Sequence, residues 1–63
     1  MLLKLTNMNG GAFLMNDAFI LEAEPREEGD AKTVLFVANG REYLVQETID
    51  QIAKLSSSTT KKR

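Results

Sequence analysis

The pair Asn39-Gly40 constrains this chain more than any other feature. It stands between two β-rich runs, Thr33-Val34-Leu35-Phe36-Val37-Ala38 and Arg41-Glu42-Tyr43-Leu44-Val45. Asn-Gly in that setting is the strongest short-range hairpin signal, because a type I′ turn needs positive φ at both central residues. Past Val45 the apolar period changes from two to between three and four. Thr48 stands where a helix N-cap belongs, and Gln51, three residues on, completes a capping-box pattern. The stretch Thr33 to Leu55 therefore reads as strand, tight turn, strand and a short helix over about 48–55.

The same turn chemistry occurs earlier, at Asn9-Gly10-Gly11. Before it, Leu3 and Leu5 can face a core while Lys4 and Thr6 face out; after it, Ala12-Phe13-Leu14-Met15 forms a return strand closed by Asn16-Asp17. Ala18 to Glu24 starts apolar at Phe19, Ile20 and Leu21, which reads as a buried end, then alternates as Glu22-Ala23-Glu24. Pro25 to Asp30 reads as a polar loop between antiparallel strands and as the most mobile internal segment. The continuous Val34-Leu35-Phe36-Val37 run belongs to a central strand covered on both faces. In the helix, Ile49, Ile52 and Ala53 fall on one stripe that docks on the sheet. Ser56 to Arg63 is Ser/Thr-rich, then basic, and reads as a disordered tail.

The expected fold class is thus α+β, mostly β: a small antiparallel sheet of four to five strands with two Asn-Gly hairpins, one short C-terminal helix and a disordered tail. Aligning Asn9-Gly10 with Asn39-Gly40 at an offset of 30 sets Phe13 against Tyr43, Leu14 against Leu44 and Met15 against Val45. That echo fits either a duplicated hairpin unit or two hairpins converging on one turn chemistry.

At 63 residues a single domain has a marginal core, and with no cysteine no disulfide can staple it. Oligomerisation is the usual remaining remedy, so a homo-oligomer is expected. No run approaches the roughly 18–20 apolar residues of a membrane span, and Met1-Leu2-Leu3-Lys4-Leu5 has neither the basic region nor the long apolar region of a signal peptide. The expected location is cytoplasmic. Residues 1–55 carry five basic and nine acidic side chains, and Lys61, Lys62 and Arg63 add a basic end. An acidic body argues against nucleic acid as partner, and three terminal charges neutralise too few phosphates to hold it.

Histidine is absent as well as cysteine, which removes thiolate nucleophiles, the usual zinc ligands and the commonest acid–base group. Glu22 and Glu24 share a strand face about 7 Å apart, a spacing open to paired acids; a solvated edge strand explains them as well. Asp17 and Asp30 sit where turns select aspartate. No nucleophile elbow or phosphate loop is present, so no enzyme, cofactor or metal site is expected. Binding candidates are Lys4, Asn7, Asn16, Arg26, Arg41 and Tyr43. Arg41 and Tyr43 share a strand face, and such a pair either holds an anionic or planar ligand or forms an ordinary exposed pair.

Two segments carry a family resemblance. Leu3-Lys4-Leu5-Thr6-Asn7-Met8-Asn9-Gly10 resembles the Leu-Thr-x-x-Asn-Gly opening of the small bacterial FlbD/SwrD flagellar and swarming-motility family. Asn39-Gly40-Arg41-x-Tyr43-x-Val45-x-Glu47-Thr48 is similar to its Asn-Gly-Lys-x-Tyr-x-Val-x-Glu-Ser run before a short helix. The chain departs from that pattern at Asn16-Asp17-Ala18-Phe19 and in a longer, more acidic stretch over residues 22–31. The resemblance implies a non-enzymatic adaptor or regulator that acts by binding a protein partner in support of motility. Similar short proteins occur in phages, where motility is not the expected role; the Arg41/Tyr43 face and the pockets expected between subunits support an alternative, a phage-type oligomer that sequesters a small anionic ligand such as a signalling nucleotide. The layout also resembles the CsrA carbon-storage regulators, interleaved dimers that bind RNA. Their basic residues after Leu-Thr are Asn7 and Met8 here, and the body is acidic, which makes RNA binding a distant alternative.

Overall fold

The computed structural model describes residues 1–57. Five strands, one 3-10 turn and one helix follow in order: β1 (Leu2–Thr6), β2 (Ala12–Asn16), the 3-10 turn Asp17–Phe19, β3 (Ile20–Glu28), β4 (Ala31–Val37), β5 (Glu42–Val45) and α1 (Ile49–Ser57). The chain is mostly β with one short C-terminal helix, as its sequence indicates. Of the tail expected over 56–63, Ser56 and Ser57 belong to α1, and residues 58–63 lie outside the described residues.

The strands form two antiparallel sheets where one was expected: β1–β2, and β3–β4–β5 in that order. They meet at a single bridge, Asn7 to Val45, beside which the Gln46 N–H donates to the Thr6 carbonyl at 2.8 Å. Pairing stops there because the Asn7 N–H is already committed to the Gly11 carbonyl, at 2.8 Å, inside its own hairpin. The sheets fold toward each other, and Leu3 and Leu5 of β1 pack with Leu35 and Val37 of β4, Val45 of β5 and Ile52 of α1. Phe13, Met15, Ile20, Ala23 and Tyr43 rim this core. Burying each large side chain of this set contributes about 1.5–3 kcal/mol.

The Asn-Gly hairpins form, with a different turn from the expected type I′. In the first, Gly10 N–H donates to the Asn7 carbonyl at 3.0 Å and Asn7 N–H to Gly11; in the second, Gly40 N–H donates to the Val37 carbonyl at 3.0 Å and Val37 N–H to the Arg41 carbonyl at 3.1 Å. Both are three-residue loops, a turn followed by a glycine bulge, which need positive φ at the glycine. Gly10 and Gly40 supply it, at +97° and +88°. The tighter two-residue loop lies elsewhere, at Gly29-Asp30, where Glu28 pairs with Ala31 and Gly29 has φ +57°.

That tight turn overturns the expected polar loop over Pro25 to Asp30. β3 continues through it to Glu28, with Pro25 in register opposite Thr33 and a register shift between Pro25 and Glu28. A proline is tolerated because β3 is an edge strand, where one side of the backbone has no partner to lose. β4 is central, and Val34 and Leu35, on opposite faces, are both fully buried.

The capping box forms as expected. Thr48 N–H donates to Gln51 Oε1 at 2.8 Å and Gln51 N–H to Thr48 Oγ1 at 3.1 Å. Asp50 in the first turn and Lys54 in the last complement the helix dipole. The expected apolar stripe is narrower than the sequence implied: Ile52 is buried and Ile49 half-buried, whereas Ala53 is exposed. Side-chain hydrogen bonds make up part of the docking. Just before α1, Glu47 accepts from the Thr6 N–H and Thr6 Oγ1, both at 2.9 Å, and Thr33 Oγ1 donates to the Glu47 carbonyl at 2.7 Å. At the far end Ser56 Oγ donates to Asp17 Oδ2 at 3.1 Å.

Candidate functional site

The six binding candidates do not converge on one site. Asn7 secures the first hairpin, its Oδ1 accepting from the Asn9 and Gly11 N–H groups at 2.8 and 3.0 Å. Asn16 caps the 3-10 turn by accepting from the Ala18 N–H at 2.9 Å. Arg26 is exposed on β3 with its guanidinium 3.8 Å from Glu28. Lys4 is exposed on the outer face of β1, opposite Leu14. Arg41 and Tyr43 lie on the same hairpin, Arg41 exposed at its turn and Tyr43 half-buried against the core. The Arg41 N–H donates to Asn39 Oδ1 at 2.9 Å.

Tyr43 leads to a concavity. It opens at the end of the core between the 3-10 turn and the β4–β5 hairpin, holds about 430 Å³, and is lined by Met15, Phe19, Val37, Ala38, Asn39 and Tyr43. The Ala38 N–H donates to the Phe19 carbonyl at 2.9 Å, which ties the two walls together. On the far side of Tyr43 the ring of Phe13 lies 6.0 Å away, inclined by 30°, and fixes the tyrosine from behind. The concavity is therefore formed before anything enters it. Its polar groups are the Asn39 amide, the Tyr43 hydroxyl and backbone, so it suits an apolar group better than an anion.

Phe19 is the lining residue that the sequence reading misplaced. The Phe19-Ile20-Leu21 run was expected to be a buried strand end, yet Phe19 is 56% and Leu21 71% exposed, and Ile20 alone turns inward. The cause is the 3-10 turn that Asn16 caps: it swings Phe19 to the lip of the concavity. The capping asparagine followed by Asp17 was the available signal, because Asx residues favour such turns.

The acidic candidates separate into two settings. Asp17 accepts a hydrogen bond from the Met1 α-ammonium at 3.2 Å, and this bond, with the one from Ser56, holds its carboxyl below the ordinary 3.8. A lowered carboxyl contributes stability above its unfolded value and loses it as pH falls through the lower folded value. Glu22 is the opposite case: the hydrogen bond with Glu24 and that neighbour's charge hold its carboxyl above the ordinary 4.5. Both glutamates are exposed.

The family model of the FlbD flagellar and swarming motility proteins matches residues 2–62. The chain belongs to this family. No curated protein and no solved structure matches it. Both stretches that carry the FlbD pattern now have physical roles. Thr6 of the first is clamped by Glu47 of the second, so the pattern's two halves are joined by one carboxylate. Asn39 and Tyr43 line the concavity, Gly40 makes the bulge, Val45 is buried and Thr48 caps α1. Arg41 of the pattern is exposed and enters the turn through its backbone N–H.

Proposed function

We propose that this FlbD-family chain is a small, non-enzymatic, homo-oligomeric adaptor of the cytoplasm that supports motility by binding a protein partner. The observation that carries this reading is the preformed apolar concavity with Phe19 exposed at its lip. An apolar side chain from a flagellar or swarming protein would fill it, with Phe19 adding contact area at the entrance. The absence of histidine and cysteine from the sequence supports a non-enzymatic role. Leu2 and Leu14, 57% and 61% exposed, are diagonal neighbours on the outer face of β1–β2 and support a self-association surface there. An anionic ligand has less support, because the concavity offers it no cation.

The test is complementation of swarming in a flagellated strain that lacks the gene. The wild-type chain restores swarming, and Phe19→Asp does not, although its circular dichroism and denaturation midpoint match the wild type. Full swarming with Phe19→Asp overturns the concavity as the partner site. Native mass spectrometry tests the assembly: an oligomer for the wild type and a monomer for Leu14→Lys are expected, and a wild-type monomer at micromolar concentration overturns that part.

A further inference from the structure

Strand β2 has β1 on one side and an open edge on the other. The Asn7 N–H donates to the Gly11 carbonyl before it, and the Asp17 N–H to the Met1 carbonyl after it, at 2.8 and 2.9 Å. Antiparallel bonding alternates along a strand, so Phe13 and Met15 turn their backbone groups to β1, and Ala12, Leu14 and Asn16 turn theirs outward. Among the described residues, the N–H and carbonyl of Leu14 meet no backbone partner. A strand that pairs with its own copy sets like charges close together, which disfavours an edge that carries them. Of the strands at sheet edges, β1 carries Lys4, β3 its glutamates and β5 Glu42, whereas β2, Ala12-Phe13-Leu14-Met15-Asn16, has no charged residue.

We propose that β2 pairs antiparallel with β2 of a second copy, across a two-fold axis at Leu14. This pairing rests on the homo-oligomer reading above and names the contact that makes the oligomer. The register follows from the strand's length. With the axis at Leu14, Ala12 opposes Asn16 of the second copy and the whole strand pairs; any other axis leaves part of the edge open. Leu14 then exchanges both backbone bonds with Leu14 of the second copy, and the two hairpins become one continuous sheet. Backbone pairing of so short an edge falls below the ~800 Å² per partner of a standard interface, and apolar side chains on both faces add to it. On the outer face the two Leu14 side chains, each 61% exposed in the single chain, lie side by side. On the inner face Phe13 opposes Met15 of the second copy, and both are half-buried at the rim of the core. Met15 lines the concavity, so each copy adds Phe13 to the wall of the other's site.

Cysteine crosslinking of the full chain tests this, since the chain has no cysteine of its own. Opposed residues of a hydrogen-bonded antiparallel pair have Cα atoms about 5.5 Å apart, within the roughly 4.4–6.8 Å that a disulfide spans. Lys4 lies opposite Leu14 on the same outer face, yet three strand spacings, about 14 Å, separate it from Lys4 of the second copy. Under mild oxidation Leu14→Cys is expected to form a disulfide-linked dimer on a non-reducing gel, and Lys4→Cys to stay unlinked. In the wild type the Leu14 amide is expected to exchange more slowly with solvent as concentration rises through the dimerisation range. Linking of Lys4→Cys as fast as Leu14→Cys overturns the proposal, because stacked outer faces bring both positions together. Where the wild type is an oligomer, failure of Leu14→Cys to link, or a constant Leu14 amide rate, overturns the β2 contact and leaves the oligomer reading standing. A wild type that stays monomeric by native mass spectrometry overturns both.

Discussion

The two Asn-Gly hairpins are the same turn secured in two ways. Their backbone hydrogen bonds repeat at an offset of 30, from Asn7, Gly10 and Gly11 to Val37, Gly40 and Arg41. The residue that starts the loop differs. Asn7 is only partly buried and grips the turn with its side-chain oxygen, whereas Val37 is buried in the core and the turn's side-chain bond comes from Asn39 instead. One loop is held from within by a polar side chain; the other is held from beneath by packing. A given backbone turn thus does not dictate how it is stabilised. The sheet it belongs to decides, since β4 is central and the β1–β2 hairpin touches the larger sheet at one bridge.

The largest effect comes from forcing the second hairpin into the first one's mode. Val37→Asn removes core packing and buries an amide, which costs about 2–4 kcal/mol and lowers the urea midpoint accordingly. An unchanged midpoint shows that position 37 is not held by packing. Next come the shared features. A Cβ at Gly10 or Gly40 meets nothing within 4 Å, so Ala there costs backbone strain alone. That strain is about 1–2 kcal/mol. The two losses should be equal in denaturant unfolding, and a clear inequality means the turns are not the same turn.

The side-chain grips come third. Asn7→Ala loses two acceptor bonds and costs about 1 kcal/mol, whereas Asn39→Ala loses one exposed bond and costs about half as much; thermal midpoints in the reverse order break the comparison. The smallest effect is at Gly11, the counterpart of Arg41. A Cβ there lies 3.0 Å from Asn7 Nδ2 and presses on the amide that holds the loop. Gly11→Ala is expected to cost about 0.5 kcal/mol, and the cost should disappear in an Asn7→Ala background. A double-mutant cycle with zero coupling removes Asn7 from the account of that turn.

Much of this was legible in the residues. The hairpins, the central strand and the Thr48–Gln51 box rest on local chemistry, and local chemistry is written in sequence. The expected I′ geometry missed the bulge because Asn-Gly suits both loops, and the number of loop residues is fixed by which pairs the strands bury. Gly29-Asp30 was itself a two-residue turn signal, hidden by the proline and charges before it, which read as a loop until β3 is known to be an edge. The binding candidates were chosen for side-chain chemistry, and Asn7 and Asn16 turned out to serve the backbone. Phe19 was missed for a related reason: its exposure depends on a cap three residues earlier. The clamp of Glu47 on Thr6 spans 41 residues, and no local pattern reports so distant a contact.

β3 offers nine residues of backbone along one open side, a ready surface for endless addition of like strands. Pro25 interrupts its row of donors, register shifts on either side of the paired stretch bend it, and glutamates stud its length. The same strand that gives the fold its longest ladder is therefore a poor seed for fibres. So small a core can thus carry a long strand at its edge without that strand recruiting another.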